Sequence, residues 1–326
     1  MREYKIRLVA GGSLTQLPDS QKLFGTLVYM FSEKYGRENA SMLTKAVLDK
    51  KIHIALSNMI PEGYLPTPQD YIIDKLSEIN CKNIPVKEKR AEIKRRSYIR
   101  PENLVHILDG QQSCDTVFPY VKQQIRQQPR ASIESVRYDI AGLESKLYSV
   151  PTINLMEIST DKNGYEQQKP VDTFCFYLQT DDSGICADLL VMLNEATTAR
   201  QIVMLGKRAS QGLNIFELVG ITAQDFSHIE TKYFLNMGML LPDEINFASS
   251  TLKLFTSERR PFQMAGGWDK DLTGYFISFI AEGSIISTLR GAAGAGKSVK
   301  SPYNEKRDIV FGNAFLYPVL LQERQV

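Results

Sequence analysis

Apolar residues in this chain come in short runs, and that constrains its fold more than any other feature. Among the longest are Tyr275–Ala281 and Leu316–Leu321. No stretch approaches the roughly 18 apolar residues that a membrane-crossing helix needs. Runs of this length suit strands, so the core has to be assembled from many short elements. The chain has 326 residues, 43% hydrophobic and 23% charged. That composition excludes collagen, a long coiled coil and wholesale disorder, and the length predicts two domains. Met1–Ala10 lacks the apolar h-region of a signal peptide, so a soluble cytoplasmic protein with no membrane contact is expected. Cys81, Cys114, Cys175 and Cys186 form no C-x-x-C pair, and His53, His106 and His228 are far apart in sequence. Reduced thiols and no metal are therefore expected.

Tyr4–Ala10 alternates apolar and polar and predicts a first strand, ended by Gly11–Gly12. Asp19 or Ser20 can cap a helix reaching about Tyr35, with Leu23, Phe24, Leu27, Val28 and Phe31 on one face. Ile52–Leu56 predicts a strand, Asn58–Asp70 a proline-rich loop, and Lys82–Arg100 a partly helical basic segment. Arg126–Ser149 is polar and poor in core residues, which predicts a projecting hairpin-like arm. Asp172–Gln179 predicts a strand, Asp188–Glu195 the start of a helix, and Leu213–Val219 another strand. The pattern restarts after Gly220, with strands expected at Lys232–Leu241, Leu252–Thr256, Gly274–Ala281 and within Ile309–Leu321. A boundary near Gly220–Glu230 and antiparallel-looking joins predict an α+β chain. Two ferredoxin-like domains, 1–222 and 223–326, fit this pattern.

Net charge is only +2, but the charge is segregated. Lys87–Arg100 carries net +5, Lys122–Arg137 +3, Ala196–Gly212 +3 and Arg290–Arg307 +4, leaving −13 for the rest. Such segregation suggests contact with a polyanion, against the plainer reading of four solvated faces.

Gly291–Ser298 reads GAAGAGKS and satisfies the G-x-x-x-x-G-K-[ST] phosphate-loop pattern. That loop works when its N–H groups crown a helix that follows directly. Here Pro302 follows four residues after Ser298 and no helical periodicity appears. A flexible loop between strands is the preferred reading, with P-loop nucleotide binding as the alternative.

Leu205–Phe216 (LGKRASQGLNIF) places Lys207, Arg208, Ser210 and Gln211 between Gly206 and Gly212. Glycines let a backbone approach a ligand, and the basic pair supplies charge. The segment resembles the glycine-rich loop of RAMP-type CRISPR proteins. Asp19–Leu27 (DSQKLFGTL) resembles the segment opening their first helix, and Leu147–Leu155 (LYSVPTINL) the return from their thumb hairpin. Phe279–Ile286 (FIAEGSII) and Ile309–Leu320 (IVFGNAFLYPVL) resemble segments of their second domain. Together these resemble the Csm-four subunits, a Cas-five group of RAMP proteins in the type III-A CRISPR effector. Members often have a histidine soon after the first strand, where this chain has Gly11–Ser13.

The resemblance implies a non-catalytic RNA-binding subunit with two ferredoxin-like domains, an inserted thumb near 126–149 and a glycine-rich loop at 205–213. It implies that the subunit caps the 5′ tag of the CRISPR RNA and joins a large polymerase-like subunit to Csm-three-type backbone subunits, with target RNA nearby and no cofactor. The RNA-contact candidates are Lys22, Arg126, Arg130, Gly206, Lys207, Arg208, Ser210, Gln211, Gly212, Arg260 and Trp268. Tyr98, Tyr138 and Phe262 are further candidate stacking platforms, and Arg259 a further basic contact. A RAMP-like endoribonuclease is the rival enzyme reading, but metal-free RNA cleavage usually needs a poised histidine. His53 in IHIAL and His106 in LVHIL sit in apolar runs that suit satisfied, half-buried side chains.

Overall fold

The computed structural model of the chain describes residues 1–78, 86–133, 145–206, 211–259, 275–302 and 308–321. The chain opens with strand β1 (Arg2–Ala10), then helices α1 (Ser20–Tyr35) and α2 (Arg37–Leu48). Asp19 caps α1 as expected, its carboxylate accepting from the Lys22 backbone N–H at 2.9 Å. Leu23, Phe24, Leu27, Met30 and Phe31 are buried along one face of α1. Phe24 stacks on Phe311 with ring centroids 4.2 Å apart. Each such side chain contributes about 1.5–3 kcal/mol by leaving water. Gly36, at φ 88°, ends α1 and lets α2 turn away, burying Ala40, Leu43 and Val47.

Short strands β2 (Ile54–Leu56), β3 (Ile60–Pro61) and β4 (Leu65–Pro66) follow. The chain then leaves the first sheet for an insertion. It holds α3 (Gln69–Glu78), α4 (Val86–Arg95), β5 (Tyr98–Ile99), α5 (Pro101–Leu108), β6 (Tyr120–Ile133), β7 (Ser145–Thr160) and β8 (Glu166–Pro170). Strands β4 to β8 form one antiparallel five-stranded sheet in sequence order. β6 and β7 pair from Tyr120↔Ile158 to Ile133↔Ser145. At about 3.3 Å per residue that hairpin is roughly 45 Å long. Its root is buried through Tyr120, Val121, Ile153, Leu155 and Ile158, while Arg126–Pro129 is exposed. The expected arm is thus a real hairpin, but it starts six residues before Arg126.

The chain returns to the first sheet with β9 (Thr173–Thr180), α6 (Gly184–Thr198), β10 (Ile202–Met204) and β11 (Ile215–Gln224). The strand order is β10-β11-β1-β9-β2, every neighbour antiparallel, with β3 also on β9. β11 runs on through Gly220 to Gln224, with a register shift opposite Arg7 and Leu8, so it ends within the Gly220–Glu230 stretch where sequence placed the boundary.

The remaining strands are β12 (Tyr233–Asn236), β13 (Leu254–Arg259), β14 (Tyr275–Ile280), β15 (Ile285–Ser287), β16 (Val299–Lys300), β17 (Ile309–Val310) and β18 (Leu316–Pro318). Among the described residues after 223, only strands, turns and 3₁₀ turns occur, with no α-helix. This part joins the first sheet directly. The Leu56 N–H donates to the Asn313 carbonyl at 3.0 Å, and the Phe315 N–H to the Leu56 carbonyl at 2.9 Å. One core cluster runs from Ile6 and Leu8 through Leu178 to Leu235, Phe311 and Phe315.

Three of the four basic windows are partly spent inside the fold. Arg96 is 1% exposed, its guanidinium 4.3 Å from the Tyr120 ring centroid and paired with Glu92. Arg95 pairs with Glu166, Arg100 with Glu157, Arg200 with Glu217 and Arg290 with Glu244. No ion pair among the described residues uses Lys122, Arg126 or Arg130.

Candidate nucleic-acid interface

The glycine-rich loop spans the gap between β10 and β11. Its basic tip, Lys207, Arg208 and Ser210, lies outside the described residues, as do Arg260, Trp268, Tyr138 and Phe262. Its two ends are described, and they are held tightly. Leu205 donates its N–H to the Asn214 carbonyl at 2.9 Å, and Asn214 donates to the Ser13 carbonyl at 3.0 Å. Asn214 sits at φ 57°, a conformation that asparagine tolerates better than most residues, and is fully buried. Its Oδ1 accepts from the Thr15 N–H at 2.9 Å, and its Nδ2 donates to the Thr15 hydroxyl at 2.8 Å. A Cβ on Gly12 would lie 2.4 Å from the Gly212 carbonyl oxygen, so only glycine lets these two backbones meet. The end of β1 and the end of the loop are thereby locked side by side.

The hairpin reaches the same place. Arg130 donates from its guanidinium to Gln211 Oε1 at 2.7 Å. The Ile153 N–H donates to the Leu14 carbonyl at 2.8 Å, seating β7 on the Gly11–Pro18 segment. Three pieces distant in sequence so meet through described residues: Gly12 to Thr15, Arg130 with Ile153, and Leu205 with Gln211 to Asn214.

Other candidates fall in different settings. Lys22 is not free to grip a phosphate unaided, because its ammonium bonds Asp19 Oδ2 at 2.8 Å. It does line a groove of about 590 Å³ with Gly206, between α1 and β10. Arg126 is exposed midway along the hairpin. Tyr98 is 3% exposed and lies in the core, which removes it as an open stacking platform; its hydroxyl points to Glu282 at 3.5 Å. Arg259 ends β13.

The GAAGAGKS segment does not adopt a phosphate-loop geometry. Residues Ala292–Gly294 form a 3₁₀ turn, and β16 rather than a helix follows Ser298. The Lys297 N–H is used by the Leu241 carbonyl at 3.0 Å, its ammonium by Asp243 at 3.3 Å, and the Ser298 hydroxyl accepts from the Gly312 N–H at 3.3 Å. Gly296 packs so closely on Gly312 and Leu240 that these glycines serve packing.

The histidines do not meet. His53 is bonded through Nε2 to Gln179 at 2.9 Å, and burial lowers its pKa below the usual 6.5. His106 bonds Gln111 at 3.1 Å, and His228 is exposed. Cys114, Cys175 and Cys186 are buried and in no disulfide; burial pushes the Cys175 and Cys186 thiols up to about 12.

Sequence reasoning missed Asn214, Thr15 and Glu282. The signal for Asn214 was present: an asparagine two residues after a glycine, directly before an apolar run, suits a left-handed turn entering a strand.

The fold and the locked loop define a mixed α/β chain with several antiparallel sheets, a hairpin insertion and a glycine-rich loop at the sheet's edge. No protein-family model and no curated protein matches the sequence. Solved structures do match. The chain is similar to one in a Csm1–Csm4 cassette in complex with cA4, at TM-score 0.58 and 15% identity, covering 99% of this chain and 100% of that one. A Csm1–Csm4 cassette in complex with pppApA gives TM-score 0.57, 16% identity and the same coverage. The Csm3–Csm4 subcomplex of the type III-A CRISPR-Cas interference complex gives TM-score 0.51 and 16% identity over 98% and 100%. The chain has the fold of Csm4.

Proposed function

We propose that this chain is a non-catalytic, RNA-binding subunit of a type III-A CRISPR ribonucleoprotein. It holds the 5′ tag of the CRISPR RNA, links a large polymerase-like subunit to Csm-three-type backbone subunits, and works in the cytoplasm. The observation that carries the reading is the convergence of the glycine-rich loop, the end of β1 and the long hairpin, joined by Arg130 and Gln211. Single-stranded RNA is held by basic surfaces that track its phosphates, and the two flanking basic windows supply one. The βα, β, β, αβ order of the first sheet supports a ferredoxin-like first domain, with the hairpin as its inserted thumb. The second domain is read as residues 223–326.

The reading of partner contact rests on the β13–β14 hairpin. Leu254 and Phe276 are 71% and 68% exposed on a two-stranded sheet, so this hairpin presents apolar side chains that nothing in the chain covers among the described residues. The similar solved chains were captured with Csm1 and with Csm3.

The test is the salt dependence of RNA binding. Replacing Lys207 and Arg208 together with Ala should weaken binding to all RNA sequences, since phosphate contacts carry no base information. Two lost contacts should flatten the log–log salt slope by about 1.4. Unchanged affinity and slope in a well-folded double variant would remove the loop from the RNA site.

A further inference from the structure

A second cavity, about 360 Å³, lies at the root of the hairpin and is bordered by Thr15 to Pro18. Its size is within the range of small-ligand sites. Gln16 borders both cavities, and Thr15, bonded to Asn214, lines this one, so the cavity adjoins the locked end of the glycine-rich loop. Its walls are unlike a leftover packing defect. Leu17, Ile125 and Pro151 supply apolar surface, and Ile125 is 67% exposed although it belongs to the inner half of the hairpin. Gln16, Asn58, Gln123 and Glu282 bring hydrogen-bonding groups to the same space.

Glu282 is the informative member. It sits in the turn between β14 and β15, where Gly283 takes φ 82° and presses against the Thr67 carbonyl. Its Oε2 accepts from Asn58 Nδ2 at 2.8 Å, and its Oε1 faces the Tyr98 hydroxyl at 3.5 Å. Asn58 is itself fixed, its Oδ1 accepting from the Ser20 N–H at 2.8 Å. Burial raises the carboxyl's pKa; Asn58, Lys253 and Tyr98 oppose the rise and Asp19 adds to it. A carboxylate has about four acceptor sites. Each oxygen here therefore keeps capacity for one more donor, and a poorly hydrated carboxylate gains most from a ligand that supplies two.

We propose that this cavity receives one unstacked guanine base of the bound RNA, with the Glu282 carboxylate accepting from its N1–H and N2–H₂ together. Guanine alone among the four bases presents two parallel donors on its pairing edge. Uracil offers one N–H between two carbonyls, and adenine and cytosine each offer an amino group beside a ring acceptor. Leu17, Ile125 and Pro151 give the base apolar faces to lie against, as protein sites for splayed bases do. Phosphates at the glycine-rich loop and a base in this cavity are compatible because the two sites share the Gly11–Pro18 segment. The inference rests on the RNA-binding reading above and adds to it a base preference at one position.

The test is a fluorescence-anisotropy titration of the full chain with octamers: all-uridine, one guanosine in uridine, and one inosine in uridine, which lacks the N2 amino group. A bidentate contact of this kind discriminates by about 1–3 kcal/mol. The guanosine octamer should bind about 5–150-fold tighter than the all-uridine one, with inosine between. Glu282→Gln should bring the guanosine-to-uridine ratio close to one. Gln123→Ala, on the exposed side of the cavity, should shrink the ratio without touching the buried Asn58–Glu282 contact, and so serves if Glu282→Gln fails to fold. Lys297→Ala, remote from the cavity, should leave the ratio as in the natural protein. Equal affinity for guanosine and uridine octamers, with salt-dependent binding intact, would overturn the pocket and spare the RNA reading. Failure of every octamer to bind would overturn both.

Discussion

Removing the Asn214 side chain should loosen the glycine-rich loop and cost measurable stability. In Asn214→Ala the Thr15 N–H, now bonded at 2.9 Å, loses its acceptor in a partly buried setting, and the Thr15 hydroxyl loses the Nδ2 donor. An unsatisfied buried group costs about 1–3 kcal/mol. Alanine at φ 57° adds about 1–2 kcal/mol, because it lacks the short polar side chain that lets asparagine offset the crowding of the left-handed region. The two effects together predict a loss of about 2–5 kcal/mol. Asn214→Gly accepts the backbone geometry and should lose only the hydrogen-bond part, about 1–3 kcal/mol. The assay is urea and thermal unfolding of the full chain followed by circular dichroism. A loss near 3 kcal/mol should lower the Tm of a chain this long by about 4–5 °C. RNA affinity should fall alongside, since Thr15 and Gly12 lose their anchor against the loop. An Asn214→Ala protein within about 0.5 kcal/mol of the natural one would refute the role given to this side chain. Glycine and alanine variants of equal stability would refute the backbone part alone.

Other outcomes follow from the same structure. Gly12→Ala should part the strand end from the loop, because its Cβ would meet the Gly212 oxygen at 2.4 Å; a loss of about 1–3 kcal/mol and weaker RNA binding are expected, read by unfolding and anisotropy. His53 has a folded-state pKa below 6.5, so the unfolded chain takes up its proton first as pH falls; the stability it contributes is full above pH 6.5 and lost as pH drops through the folded value. The stability difference between the natural chain and His53→Asn should therefore be larger at pH 8 than at pH 5 in matched urea titrations, and a constant difference would remove His53 from the pH response. Lys297→Ala should change stability by less than about 1 kcal/mol, since Asp243 keeps Lys50 as a partner, and isothermal titration should detect no ATP binding in either protein.

The elements that sequence predicted best are those whose signal is local. Asp19 with its apolar stripe marked α1, alternation marked β1, and the polar tract marked the hairpin. α2 was missed although Ala40, Leu43 and Val47 have helical spacing, because Gly36 and a charged start read as an ending. α5 hid in LVHIL, which reads equally well as a strand. The restart expected after Gly220 comes a few residues later, because β11 continues past its register shift to Gln224 before β12 begins at Tyr233. Charge windows overstated the binding surface: composition cannot show that Arg96 lies against the Tyr120 ring or that Arg95 and Arg100 already have carboxylate partners. Of the site, sequence showed the glycine-rich loop and the arm. Their meeting through Arg130 and Gln211, and the Asn58–Glu282 pair 224 positions apart, are long-range contacts with no local trace.

The central claim is that this chain holds one defined end of a guide RNA. The most direct measurement is sequencing of the RNA that remains bound when the tagged, full-length protein is purified from the cells that make it. The account predicts small RNAs that share one 5′ sequence and differ downstream, and their recovery should fall in the Lys207→Ala/Arg208→Ala protein. RNA of random sequence and length, or a preparation free of RNA from a well-folded protein, would contradict it.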